Sequence, residues 1–182
     1  MAGRLARCLC ASSLLYCAAA GAQVRERPFL SQQQLEQPAA VVAWLKKHGA
    51  AADRQRAARA HAFGVEEEAR GSLDTALKAY GESAIRLPTP GALITYARLA
   101  TRYYGRLRAA RGDHHAFQDA DLRSVEMLYR SALASDDVLT TLSARERRQI
   151  AANAQCIATF RGANKQVEHA GCAPLLDYGV RR

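Results

Sequence analysis

An all-α fold is the class that this 182-residue sequence predicts, and three observations carry the prediction. Much of its 49% hydrophobic content is Ala, which gives up no side-chain entropy on entering a helix. The strand formers Val, Ile, Phe and Tyr are thinly spread and nowhere alternate with polar residues over a strand's length. Apolar residues instead recur at three- and four-residue steps, in segments bounded by capping residues, Gly and Pro. With only 12 Gly and 5 Pro, the composition is that of one globular domain.

The elements follow in order. After a lead from Gln23 to Phe29, Ser31 and Gln34 stand at capping-box spacing, and Pro38 suits the first turn of a short helix that Gly49 closes. Val41, Trp44, Leu45 and His48 line one face of that helix, so the sole Trp is expected to anchor it on the first pair of helices that follows. A long helix is predicted from about Asp53 to Arg70, a turn at Gly71 and Ser72, and a second helix from Leu73 to Leu87. Pro88 stops that helix, because it has no N–H to donate and pushes the preceding residue away from helical angles. The next helix, from about Gly91 to Arg111, carries Leu93, Tyr96, Ala97, Ala100, Tyr104 and Leu107 at helical spacing, and Gly112 ends it. A polar stretch with Asp113, His114, His115 and Gln118 leads to a helix from about Ala120 to Ser135. Ser143 and Glu146 form a second capping box, opening a helix to about Phe160 with Ile150, Ala154 and Ile157 inward. Gly162 closes it, and Asn164 to Ala170 is expected to add a short terminal helix.

Gly64, Gly71, Ala76, Tyr80, Ser83 and Pro88 fall at the spacings of one tetratricopeptide repeat, and the stretch from Ala57 to Thr159 resembles that family of stacked 34-residue helical hairpins. Gly64 has no side chain where the two helices approach, Ala76 presents only a methyl group, and Tyr80 fills the space one turn on. Ala60, Glu67 and Ser83 depart from the family's preferred residues. Val125, Tyr129, Ala132 and Asp137 echo Ala76, Tyr80, Ser83 and Pro88 in a second, degenerate unit, after an insertion of about 15 residues against the standard period. The resemblance implies antiparallel helical hairpins stacked as a short solenoid of about two repeats, with flanking helices as caps. An ordinary helical hairpin with the same spacing is the alternative.

Residues 1–22 read as a secretory leader: Arg4 and Arg7 precede an apolar run from Cys8 to Ala20, and Ala20-Gly21-Ala22 offers small residues for cleavage. Residues 23–182 then form the single helical domain, in the periplasm or secreted. A lipoprotein signal at Leu14-Leu15-Tyr16-Cys17 is disfavoured by Tyr16, and a mitochondrial presequence by the lack of Arg along the run. The run is shorter than the roughly 20 residues of a spanning helix, and no later segment replaces it, so no transmembrane anchor is expected. Of five Cys, three lie in the leader; Cys156 and Cys172 remain, and an even pair in an oxidising compartment predicts one disulfide, with two buried thiols as the alternative. Losing Arg4 and Arg7 lowers the formal net charge from +9 to +7, which favours anionic partners. Export argues against nucleic acid and points to an envelope protein, an acidic peptide or an anionic polymer. With only four Lys in the chain, an Arg excess that merely reflects base composition is the bland counterpart.

In the family it resembles, the first helices of successive repeats line a groove. Carried onto this sequence, that implies a partner-binding surface of His61, Val65 and Glu68, then Thr95, Leu99, Arg102, Tyr103 and Arg106, and finally Arg145 and Arg148. Four convergent Arg would suit a carboxylate-bearing ligand, since guanidinium groups pair bidentately with carboxylates and stack on rings such as Tyr103. Scattered, solvated Arg are the competing picture. Asp113, His114, His115, Asp119 and Asp121 gather the side chains best able to hold a divalent ion, but adjacent His do not share a helix face, and the stretch reads more simply as a loop feeding an Asp cap. Glu66, Glu67 and Glu68 read as a solvated helix face rather than as acid/base carboxylates. No phosphate-binding Gly-rich loop, nucleophile elbow or zinc-protease helix motif appears. The expectation is therefore a binding scaffold in the bacterial envelope, with no enzymatic activity, cofactor or metal. A small metal-binding or hydrolytic envelope protein using Asp113, His114 and His115 is the alternative.

Overall fold

The computed structural model describes residues 28–110, 119–162 and 172–177. Among them the chain is helical, with turns and no strands, as its composition predicts. The helices are α1 (Gln32–Leu35), α2 (Pro38–His48), α3 (Arg54–Ala69), α4 (Leu73–Arg86), α5 (Pro90–Ala110), α6 (Asp119–Leu139), α7 (Ala144–Gly162) and α8 (Ala173–Asp177), with a single 3-10 turn at Gly49–Ala51. The leader, the Asp113-His114-His115 stretch and the helix expected over Asn164 to Ala170 lie outside the described residues.

Local chemistry sets the helix ends. The Ser31 hydroxyl accepts the Gln34 N–H while Gln34 Oε1 accepts the Ser31 N–H at 2.8 Å, closing the first capping box. Ser143 and Glu146 repeat the exchange at the start of α7, where the Ser143 N–H reaches Glu146 at 2.8 Å. Asp53 caps α3 through the Arg56 N–H, and the Thr89 hydroxyl caps α5 through the Ala92 N–H. Gly71 lies between α3 and α4 with φ +81, a left-handed conformation that a side chain would strain. α6 continues through Asp137, where the echo of Pro88 predicts a stop. Asp, unlike Pro, keeps its N–H and does not block a helix. The end comes instead at Thr140, at φ +50, where the Asp136 carboxylate accepts the next two backbone N–H groups, Thr141 and Leu142, at 2.8 Å each.

From α3 to α7 each helix packs on the one before it, and the connecting contacts run antiparallel. The start of α3 meets the end of α4 through Arg56 and Glu82. Ser135, late in α6, donates to the Pro88 carbonyl just ahead of α5 at 2.6 Å. Arg147 near the start of α7 binds Asp136 late in α6, and Arg161 near its end binds Asp119 at the start of α6. The core is one continuous cluster reaching from Leu30 to Leu175, with Tyr80, Leu93, Leu99, Leu128, Ile157 and Phe160 among its large members.

α6 is the hub. It packs on α5, α7 and α2, so it is enclosed on several sides, and polar residues such as Glu126, Ser135 and Asp136 are buried along with Leu122, Val125, Leu128 and Tyr129. The burial holds because these polar groups have partners: Glu126 is bound by Arg130 and Arg161, Ser135 by a carbonyl, Asp136 by two N–H groups and Arg147. The α2 helix with Trp44 seats on α6, in the second helical unit, and not on the first pair. The contact with the first pair falls to the segment ahead of it, where the Leu30 N–H donates to the Ile85 carbonyl at 2.8 Å and α1 touches α4. Cys156 and Cys172 are bonded, with Cα atoms 5.6 Å apart, and α8 packs on both α5 and α7. No helix among the described residues is long and apolar enough to cross a membrane.

Candidate functional site

A groove runs between α3 and α5 with α4 as its floor. One end is a cleft of about 390 Å³ walled by Ala57, Ala58 and His61 of α3 and by Gly91 and Ala92 of α5, over Ser83 of α4 and Leu87 just past its end. Small residues on both walls leave this space open. His61 stacks on Tyr80 of the floor, their rings 5.2 Å apart and tilted. The close approach of α3 and α4 beneath it depends on Gly64, since a Cβ at that position would lie 2.7 Å from the Tyr80 ring.

Toward the other end the groove is bridged by charge. Gly91, Thr95, Arg98, Arg102 and Arg106 recur at three- and four-residue steps, so they share one face of α5. Glu68, from α3, receives Arg98 on both carboxylate oxygens at 2.9 and 2.8 Å, Arg102 on Oε1, and the Tyr80 hydroxyl at 3.0 Å. Burial pushes the Glu68 carboxyl up, but hydrogen bonds from Arg98 and Tyr80 and the charges of Arg98 and Arg102 outweigh it, and the group sits below its ordinary value. The same desolvation, with the Glu68 carboxylate beside it, pushes the Tyr80 hydroxyl up to about 12, so it remains a donor at any physiological pH. One carboxylate thus holds two guanidinium groups, and Arg106 stands exposed one turn further along the same face.

The predicted surface residues divide three ways. His61, Glu68 and Arg102 are brought together along the groove; Thr95 shares its α5 wall, and Val65 is 49% exposed at its rim. Tyr103 lies beside it, its hydroxyl donating to Asp74 at 3.3 Å, and Asp74 is also held by Lys78. Leu99 is a correction: it is fully buried in the core, because one residue past Arg98 turns the side chain about 100° inward from the groove face. Arg145 and Arg148 are a second correction. They are exposed on α7, but the Ser135–Pro88 and Asp136–Arg147 bonds put Arg147 level with Pro88, so along parallel helices Arg102 lies roughly 20 Å further on at 1.5 Å per residue. The four Arg do not converge. The repeat positions Ala76, Tyr80, Ser83, Pro88, Val125, Tyr129 and Ala132 are all buried.

Arg98 is the residue that sequence reasoning missed. Its signal was present as the i, i+4, i+8 series Arg98, Arg102, Arg106, which marks a single helix face whatever the family register. Among the described residues no group of three or more His, Cys, Asp and Glu side chains is placed to hold a metal ion. The chain matches no family model, no curated protein and no solved structure.

Proposed function

We propose that the protein is an exported, tetratricopeptide-like binding scaffold of the bacterial envelope that takes an acidic protein segment or anionic polymer along the groove between α3 and α5, acting by binding and not by catalysis. The observation that carries this reading is the Arg98, Arg102, Arg106 series along one face of α5, two of whose members bind Glu68. This run of guanidinium groups gives the wall a row of bidentate donors, and an incoming carboxylate can replace or join Glu68 as their partner. The small-residue cleft at the other end gives room for an apolar side chain of the same ligand. The Cys156–Cys172 bond and the leader-like residues 1–22 support export.

A fluorescent poly-glutamate peptide, titrated with the purified chain and followed by anisotropy, tests the groove. Arg102→Gln combined with Arg106→Glu is expected to weaken binding about tenfold or more, whereas Glu68→Gln, which removes the carboxylate that competes with the ligand for Arg98 and Arg102, strengthens it. Equal affinity in all three proteins would rule the groove out.

A further inference from the structure

α3 is held along one side by α4 and through Glu68 by α5, and the side turned away from α4 is exposed, bordering the cleft at Ala58 and Ala62. That exposed side is apolar in its middle. Ala58, Ala62, Val65 and Ala69 follow at four- and three-residue steps, all exposed, with Val65 at 49%, and Phe63 borders them at 47%. With Gln55 ahead of them, they occupy the seam positions of a two-stranded coiled coil across two heptads, and their small side chains let a second helix approach closely.

The charges flanking this seam identify the second helix. The N-terminal half of α3 carries Arg54, Arg56 and Arg59, and its C-terminal half carries Glu66, Glu67 and Glu68. A helix of that polarity complements itself when turned end for end and repels itself when aligned. Arg59 and Glu66, both exposed, are seven residues apart and therefore lie on the same flank of the seam. In an antiparallel pair, residues on the same flank of the two helices face each other across it, and a two-fold axis between Ala62 and Phe63 brings Arg59 opposite the partner's Glu66, twice over. Among the described residues Glu66 pairs with Arg70, at 3.8 Å with both side chains 62% exposed. We infer that the chain forms a two-fold symmetric homodimer through the outer face of α3, packed antiparallel on α3 of a second copy, with Arg59 and Glu66 fixing the register. Ala58 and Ala62 of this seam also line the cleft at one end of the groove, so the dimer covers that end while leaving the Arg98 face of α5 outside the contact; its test reads mass and not ligand capture.

Sedimentation equilibrium of the purified chain over a concentration series is the test, with circular dichroism confirming that each variant stays helical. The chain is expected to sediment at twice its monomer mass, and Val65→Asp, Arg59→Glu and Glu66→Arg each weaken the dimer about tenfold or more. The exchanged pair Arg59→Glu with Glu66→Arg restores it, because the two charges still meet, and Ala62→Cys yields a cystine-linked dimer across the axis. A chain that is monomeric throughout overturns the proposal. So does a dimer indifferent to Val65→Asp, which would lie on another face, or an exchanged pair that fails to restore association.

Discussion

Tyr80 connects packing to charge at the scale of single residues. Its ring lies flat enough against α3 that Gly64 must have no side chain, and its hydroxyl holds the carboxylate that organises Arg98 and Arg102. Gly64→Ala places a methyl group against Cδ1 and Cε1 of a buried ring that His61 and Glu68 keep in position. Overpacking of this kind costs about 1–3 kcal/mol, against a gain near 1 kcal/mol from the better helix former, so the variant is expected to be destabilised by about 1 kcal/mol in urea unfolding. An unchanged midpoint would mean that the ring moves freely. That Gly64 lies where α3 and α4 approach closely was legible in the sequence, because it depends on spacing within one hairpin; that the Tyr80 ring lies nearest to it there was not. The capture of Arg98 by Glu68 was not, because it depends on how far α3 and α5 slide past each other, and 30 residues separate the two side chains.

Among the elements, α6 shows what patterning does and does not encode. Capping boxes at Ser31 and Ser143 fixed two helix starts in advance, since side chain and backbone there answer each other within four residues. The end of α6 was hidden for the opposite reason. Asp137 interrupts nothing, and the stop is made by Thr140 in a left-handed conformation, stabilised by Asp136 four residues earlier and by Arg147 on the next helix. A β-branched residue at positive φ carries about 1–3 kcal/mol of strain. Thr140→Gly removes that strain at an unfolded-state entropy cost below 1 kcal/mol, so it is expected to stabilise the protein by about 1 kcal/mol, read as a higher melting temperature. A lower melting temperature would show that the threonine side chain contributes more than its backbone costs.

Across the whole molecule, carboxylates join helices that are not consecutive or close the turns between them, and this sets the response to acid. For Asp136, burial raises the carboxyl, but the Leu142 and Thr141 N–H groups and Arg147 overcome it; Glu146 is lowered by Ser143, and Glu68 by its Arg and Tyr partners. Each group binds its proton less readily folded than unfolded. Their stabilisation is therefore complete above the ordinary carboxylate range near pH 4 and is lost as pH falls through the lowered folded values. The melting temperature is expected to be flat from neutral pH down to about 5 and to drop below 4, with the drop reduced in Glu68→Gln with Asp136→Asn. A profile equally steep in that variant would assign acid sensitivity to other groups. The all-α class and the run of antiparallel neighbours were legible at this scale; the seat of α2 was not, since its apolar face fits any apolar surface and only long-range geometry selects α6. That seat has a consequence for the order of events in synthesis. Glu36 waits for Ser124, 88 residues later, and Trp44 for the helix containing it. A chain made from its N-terminus holds the face of α2 uncovered until α6 has formed, so one of the first helices to appear is among the last to dock.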